Sequence, residues 1–127
     1  MSDNSTTVEE MRQWMRQFVA ERQWEQFHSP KNLSMSLAIE AAELMEHFQW
    51  IDVEASRQVQ SNPQKMQEIG EEIADVLSYT LALANSLGID LSETLRQKMV
   101  KNRLKYPAEK FQGRYGHNDQ LRNDATS

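Results

Sequence analysis

An all-α fold, a bundle of four helices, is what this sequence predicts, and three observations predict it. Glycine and proline are scarce, at 4 and 3 among 127 residues, whereas the good helix formers Leu, Met, Ala, Glu and Gln are plentiful. Apolar residues recur every three to four positions over long stretches, the spacing that lines one face of a helix. The few breaking residues gather in short segments between those stretches. A chain of this length suits one domain with a modest core. Residues 1–110 read as that domain, and 111–127 as a polar tail, expected to be mobile from its Gly, Asn and Asp.

Taken in order, the first helix opens with a capping box, Thr7 with Glu10 three residues on. Val8, Met11, Met15, Phe18, Val19 and Arg22 then hold helical spacing toward Trp24. Phe27 to Asn32 reads as a loop around Pro30, with Asn32 as N-cap. The second helix follows from about Leu33 to Trp50. A break at Ser61-Asn62-Pro63 puts Pro63 in the first turn of the third helix, which runs to Leu87. From Ile73 onward that helix is apolar around much of its circumference (Ile73, Ala74, Val76, Leu77, Leu81, Leu83, Ala84), so burial on more than one side is expected, at a bundle centre or a subunit interface. Gly88 ends it. The fourth helix spans Leu91 to Lys105 and stops at Tyr106-Pro107.

Several classes are excluded at the outset. Without cysteine there is no disulfide, thiolate metal site or cysteine nucleophile. Neither a signal peptide nor an apolar run of membrane length is present, so a cytoplasmic protein with no membrane partner is expected. A net charge of −5 argues against binding a nucleic acid polymer.

The candidate chemistry begins with two acidic pairs, Glu40–Glu43 and Glu72–Asp75, each three residues apart on one helix face. Acidic residues at helical spacing usually form a solvated face. Here Glu40 shares its face with Leu33, Leu37, Ala41 and Leu44, with Glu43 and His47 along the edge. A carboxylate among leucines needs a partner, because burying it alone costs several kcal/mol. A divalent cation satisfies several clustered carboxylates at once, and hard oxygen ligands select Mg2+, with Mn2+ as a substitute, over Zn2+. Magnesium typically binds through a few carboxylates and substrate phosphates, which points to a phosphorylated substrate. A di-iron bundle would need Glu-x-x-His twice. His28, His47 and His117 all fail that spacing.

Two further groups complete the pattern. Lys98, Asn102 and Tyr106 recur one turn apart at the end of the fourth helix, among Lys101, Arg103 and Lys105. A basic last turn complements the helix dipole in any protein; beside a metal cluster it reads as a phosphate clamp. Trp24, His28 and Trp50 lie at or beyond the ends of the first two helices. Such residues often pack a rim, but they also offer the flat surfaces on which a nucleobase stacks.

These residues carry a resemblance. Glu40-Ala-Ala-Glu43 and Glu72-Ile-Ala-Asp75 match the Glu-x-x-Glu, spacer, Glu-x-x-Asp pattern of the MazG-like all-α nucleoside triphosphate pyrophosphohydrolases. FVAERQWEQFHSPKNLSMSLAIEAAELMEHFQW (18–50), EEIADVLSYTLALANSLGIDL (71–91) and KMVKNRLKYP (98–107) most resemble the dCTP pyrophosphatase branch, over roughly residues 8 to 110. Ala41-Ala42 stands where a valine–glycine pair is expected, a change of helix packing. The resemblance implies a MazG-like bundle and hydrolysis of a (deoxy)nucleoside triphosphate, dCTP or a 5-modified form, to monophosphate and pyrophosphate. It implies Glu40, Glu43, Glu72 and Asp75 as metal ligands, with Glu40 or Glu43 as general base. Trp24, His28, Trp50 and Tyr79 fall where base and sugar are held, and Lys98, Asn102 and Tyr106 where phosphates are held. No side chain presents itself as a covalent nucleophile, so attack by water is expected.

A helix apolar on most sides is expected to bury that surface against another copy, giving a homo-oligomer. The related enzymes are dimers or tetramers, and the pocket is expected to be bordered by the neighbouring subunit. Two alternatives stand beside this reading: a non-catalytic helical interaction module, and a sibling activity on dUTP or phosphoribosyl-ATP.

Overall fold

The computed structural model describes residues 1–115, and every regular element among them is helical. α1 spans Val8–Glu21, α2 Pro30–Glu46, α3 Val53–Arg57, α4 Pro63–Leu87, α5 Leu91–Lys105 and α6 Ala108–Phe111; 3₁₀ turns lie at Glu25–Phe27 and Val59–Ser61. Of the predicted tail, 111–127, Phe111 belongs to α6, and residues 116–127, with His117, lie outside the described residues.

Three of the four long helices start where their capping residues dictate. Thr7 Oγ1 accepts from the Glu10 N–H at 3.1 Å, and Glu10 Oε2 accepts from the Thr7 N–H at 2.6 Å, closing the capping box. Asn62 Oδ1 accepts from the Lys65 N–H at 3.1 Å, and Pro63 follows as the first helical residue of α4. Asp90 caps α5 by accepting from the Glu93 N–H at 2.8 Å. Gly88 ends α4 at φ 66°, the left-handed conformation that a residue without Cβ adopts freely.

α2 departs from expectation at both ends. Its N-cap is Ser29, not Asn32: Ser29 Oγ accepts from the Asn32 N–H at 3.2 Å, and Pro30 takes the first helical position, where its missing N–H costs nothing. Asn32 instead lies inside the helix and donates its side-chain amide to the Phe27 carbonyl at 3.1 Å. At the other end the helix stops at Glu46, and residues 47–50 tighten into turns, with Phe48 N–H reaching Met45 O at 2.9 Å. α3 and α6 were not foreseen, since five and four residues are too short to show a helical period.

The chain forms two units, Met1–Ile89 and Asp90–Ser127. In the first, α4 packs against α2 and, less extensively, α1. The core holds Val19, Leu33, Ile69, Leu81, Ala82 and Ala84. The C-terminal half of α4 is buried as expected, but Ile73 and Leu77 remain 53% and 42% exposed. In the second unit, α5 ends at Tyr106, whose ring meets Phe111 edge-on at 5.2 Å, and Arg96 pairs with Glu93. Among the described residues no helix is long and apolar enough to cross a membrane.

Candidate active site

α2 and α4 run antiparallel. Glu40 and Glu43 near the end of α2 meet Glu72 in the first half of α4, whereas His28, just before α2, shares a cavity with Ala82, Asn85 and Ser86 near the end of α4. One carboxylate oxygen from each of Glu40, Glu43 and Glu72 lies within 4.8 Å of the others. Asp75, one turn along α4 from Glu72, is outside that trio but close enough for its charge to act on both Glu40 and Glu72.

This crowding has an electrostatic signature. Oε2 of Glu40 and Oε2 of Glu72 are buried and find no hydrogen-bond donor. Burial, followed by contact with Glu43 and the negative charges of Glu43, Asp75 and Glu72, pushes the Glu40 carboxyl from its ordinary 4.5 up to about 7. Glu72 is raised too, first by burial and then by Glu43 and Asp75, with His47 pulling the other way. Buried acceptors without donors, gathered from two helices, are a strained arrangement for a bare protein and a suitable one for a cation. The donor set is all carboxylate oxygen, so the cluster fits a hard divalent metal ion. A cation held there would neutralise charge on a phosphorylated ligand, and a carboxylate not fully committed to it could accept a proton.

Tyr79 continues the Glu72–Asp75 face of α4 one turn further and is half-buried. Beyond it a cavity of about 350 Å³ lies between α1, the Glu25–Phe27 turn and α4, floored by Met15, Val19 and Ala82 and rimmed by Arg16, Glu25 and His28. Trp24 stands beside His28 with ring centroids 6.2 Å apart and planes tilted by 41°. Both residues precede α2, whereas Trp50 follows it and is 87% exposed. The 17 residues of α2 span about 25 Å. One chain therefore does not bring Trp50 to the Trp24–His28 pair. Lys98, Asn102 and Tyr106 belong to the second unit and recur on one face of α5, where the Tyr106 N–H donates to Asn102 O at 2.8 Å.

Two contacts near this region carry no mark in the sequence. Arg12 is the one buried charged residue among those described, at 8% exposure, and it binds Asn85 on the cavity wall. Phe18 and Arg22, noted above only for their helical spacing, stack against each other and against Trp24.

The comparisons with known proteins agree with this architecture. The model of the MazG-like family matches residues 35–119. The chain is 38% identical to dCTP pyrophosphatase 1 of Bos taurus over 121 residues, covering 95% of this chain and 72% of that protein. It is 45% identical to dCTP pyrophosphatase 1 of Homo sapiens over 103 residues, covering 80% of this chain and 60% of that one. Thus the chain spans between 60% and 72% of the length of these relatives. The crystal structure of a pyrophosphatase from Archaeoglobus fulgidus DSM 4304 superposes with a TM-score of 0.74 at 39% identity, covering 84% of this chain and 98% of that one. Family model, relatives and fold concur: the chain belongs to the MazG-like family.

Proposed function

We infer that this chain is a nucleoside triphosphate pyrophosphohydrolase whose substrate is dCTP or a 5-modified dCTP, released as monophosphate and pyrophosphate. The observation that carries this reading is the Glu40–Glu43–Glu72 cluster with its two buried oxygens lacking donors, set in a fold shared with relatives named dCTP pyrophosphatase 1.

Glu40, Glu43, Glu72 and Asp75 would hold the metal ion, Mg2+ with Mn2+ as substitute, because all four offer hard oxygens. When bound, that ion neutralises phosphate oxygens and lowers the cost of placing a triphosphate beside four carboxylates. A water attacks in line, and Glu40 or Glu43 accepts its proton at a carboxylate oxygen. Glu40 and Glu43 share one face of α2 beside Glu72, and whichever is not fully committed to the metal takes that proton. Lys98, Asn102 and Tyr106 take the phosphate-holding role, lysine by charge and asparagine as a neutral donor. Trp24 and His28 supply flat faces for the base, and Tyr79, further along the Glu72 face, is assigned to the sugar.

A homo-oligomer completes the site. Ile39, Ile73 and Leu77 present apolar surface on α2 and α4, at 59%, 53% and 42% exposure, and a second copy is the economical cover. A neighbouring subunit also supplies Trp50 from the far end of α2. The pyrophosphohydrolase domain is assigned to residues 1–110 and the role to cleansing of the cytoplasmic nucleotide pool.

The test is pyrophosphate release from each canonical (d)NTP and 5-methyl-dCTP, with and without Mg2+, beside Glu40→Gln. Metal-dependent turnover of a cytosine deoxynucleotide, lost in the variant, supports the reading. A folded, oligomeric sample inert toward every nucleotide refutes it.

A further inference from the structure

α1 ends in a Schellman motif: the Trp24 N–H donates to Val19 O at 3.0 Å and the Gln23 N–H to Ala20 O at 3.0 Å, with Gln23 in the left-handed region at φ 52°. This fixes the backbone of Trp24 but leaves its half-exposed indole free to turn. The side chain is held by a stack. The Phe18 ring meets Trp24 edge-on, centroids 5.7 Å apart at 75°. The Arg22 guanidinium covers the open face of Phe18, 3.7 Å from its centroid, and lies 6.0 Å from the Trp24 ring. Its own place is secured by donation from Nη1 to Phe18 O at 3.0 Å and by Glu21 at 3.7 Å. On the other side of the turn, Asn32 donates to Phe27 O at 3.1 Å, anchoring the backbone just before His28.

We propose that Arg22 is a positioning residue for nucleotide binding: by clamping Phe18 it holds the Trp24 indole in place beside His28. The proposal rests on the reading of Trp24 and His28 as a base platform. A planar guanidinium suits the task because it stacks on a ring while still donating to a carbonyl, and it is more weakly hydrated than an ammonium. A platform held before the ligand arrives spares binding the cost of freezing a free indole.

Two measurements on the full chain test this. In a Trp14→Phe/Trp50→Phe background, Trp24 is the sole tryptophan, and Arg22→Ala should lower its fluorescence anisotropy and increase quenching by acrylamide, with Arg22→Lys intermediate. In steady-state assays with dCTP and Mg2+, Arg22→Ala should raise KM about 3- to 10-fold with kcat within about twofold, the range expected when part of a stacking interaction is lost. Added to Trp24→Ala, it should raise KM no further, because both act through the same indole. Unchanged anisotropy in Arg22→Ala overturns the clamp whatever the activity. Altered anisotropy with unchanged KM, or an additive effect on Trp24→Ala, overturns its role in binding. If Trp24→Ala itself leaves KM untouched, the platform falls and the positioning role with it, while the pyrophosphohydrolase reading still stands or falls on wild-type turnover.

Discussion

Arg12 and Asn85 satisfy each other across 73 residues of sequence: Arg12 Nε donates to Asn85 Oδ1 at 2.8 Å, and Asn85 Nδ2 returns a bond to Arg12 O at 3.2 Å. A second guanidinium nitrogen donates to Ile89 O at 2.6 Å, just past the end of α4. The charge thus sits where the helix dipole is negative, and its partners are neutral acceptors. Replacing Arg12 with Ala strips two carbonyl acceptors of their donor and opens the α1–α4 seam. Global stability should fall by about 2–3 kcal/mol, read as a lower urea midpoint at unchanged m.

Gln23 is the one non-glycine residue among those described with a positive φ. The left-handed region costs a residue with a Cβ roughly 1–2 kcal/mol, part of which a glycine loses again through the entropy of its unfolded chain. Gln23→Gly should therefore raise stability by about 0.5–1 kcal/mol, and Gln23→Val should lower it, both measurable by thermal unfolding.

Acidity enters through Glu40, which ionises near pH 7 when folded and at its ordinary 4.5 when unfolded. Between those values the folded chain carries the extra proton, so this group's contribution is fully present below 4.5 and is lost as pH rises through 7. Metal-free protein should accordingly lose stability between pH 4.5 and about 7 through this site, and Glu40→Gln should flatten that slope. Metal binding runs in the opposite sense, since the ligand must shed its proton. Affinity for Mg2+ should rise about tenfold per pH unit up to about pH 7, measurable by titration calorimetry.

Self-association should hinge on the open face of α4. A glutamate at Leu77, or at Ile73 one turn earlier, places a charge where a subunit contact is inferred, at a cost of several kcal/mol if buried. Sedimentation velocity should show Leu77→Glu shifted to monomer, with far-ultraviolet circular dichroism retained. An unchanged sedimentation coefficient in both variants refutes an interface on this face.

Much of this was legible in the sequence because the decisive signals are local. Pro63, Gly88, Asp90 and the Thr7–Glu10 box each state where a helix begins or ends within four residues of themselves. The start of α2 was misread because two rules competed there: Asn32 is a good N-cap, but Ser29 before Pro30 is a better one, since proline fits the first helical position and disfavours helix in the residue before it. Glu40 declared itself by its leucine neighbours. That Glu43 and Glu72 join it more closely than Asp75 depends on the rotation of α2 against α4, which no single helix encodes. Arg12–Asn85 was invisible for a similar reason, as neither residue breaks any local pattern.

The antiparallel pairing of α2 with α4 has a consequence for how such a chain can change in length. An added residue between Leu33 and Glu40 would turn everything after it by about 100° and swing Glu40 and Glu43 off the face that meets Glu72. Residues 47–62, a run of turns and the five-residue α3, carry no such phase relation, so length variants gathered by selection for activity should accumulate there and be absent from α2.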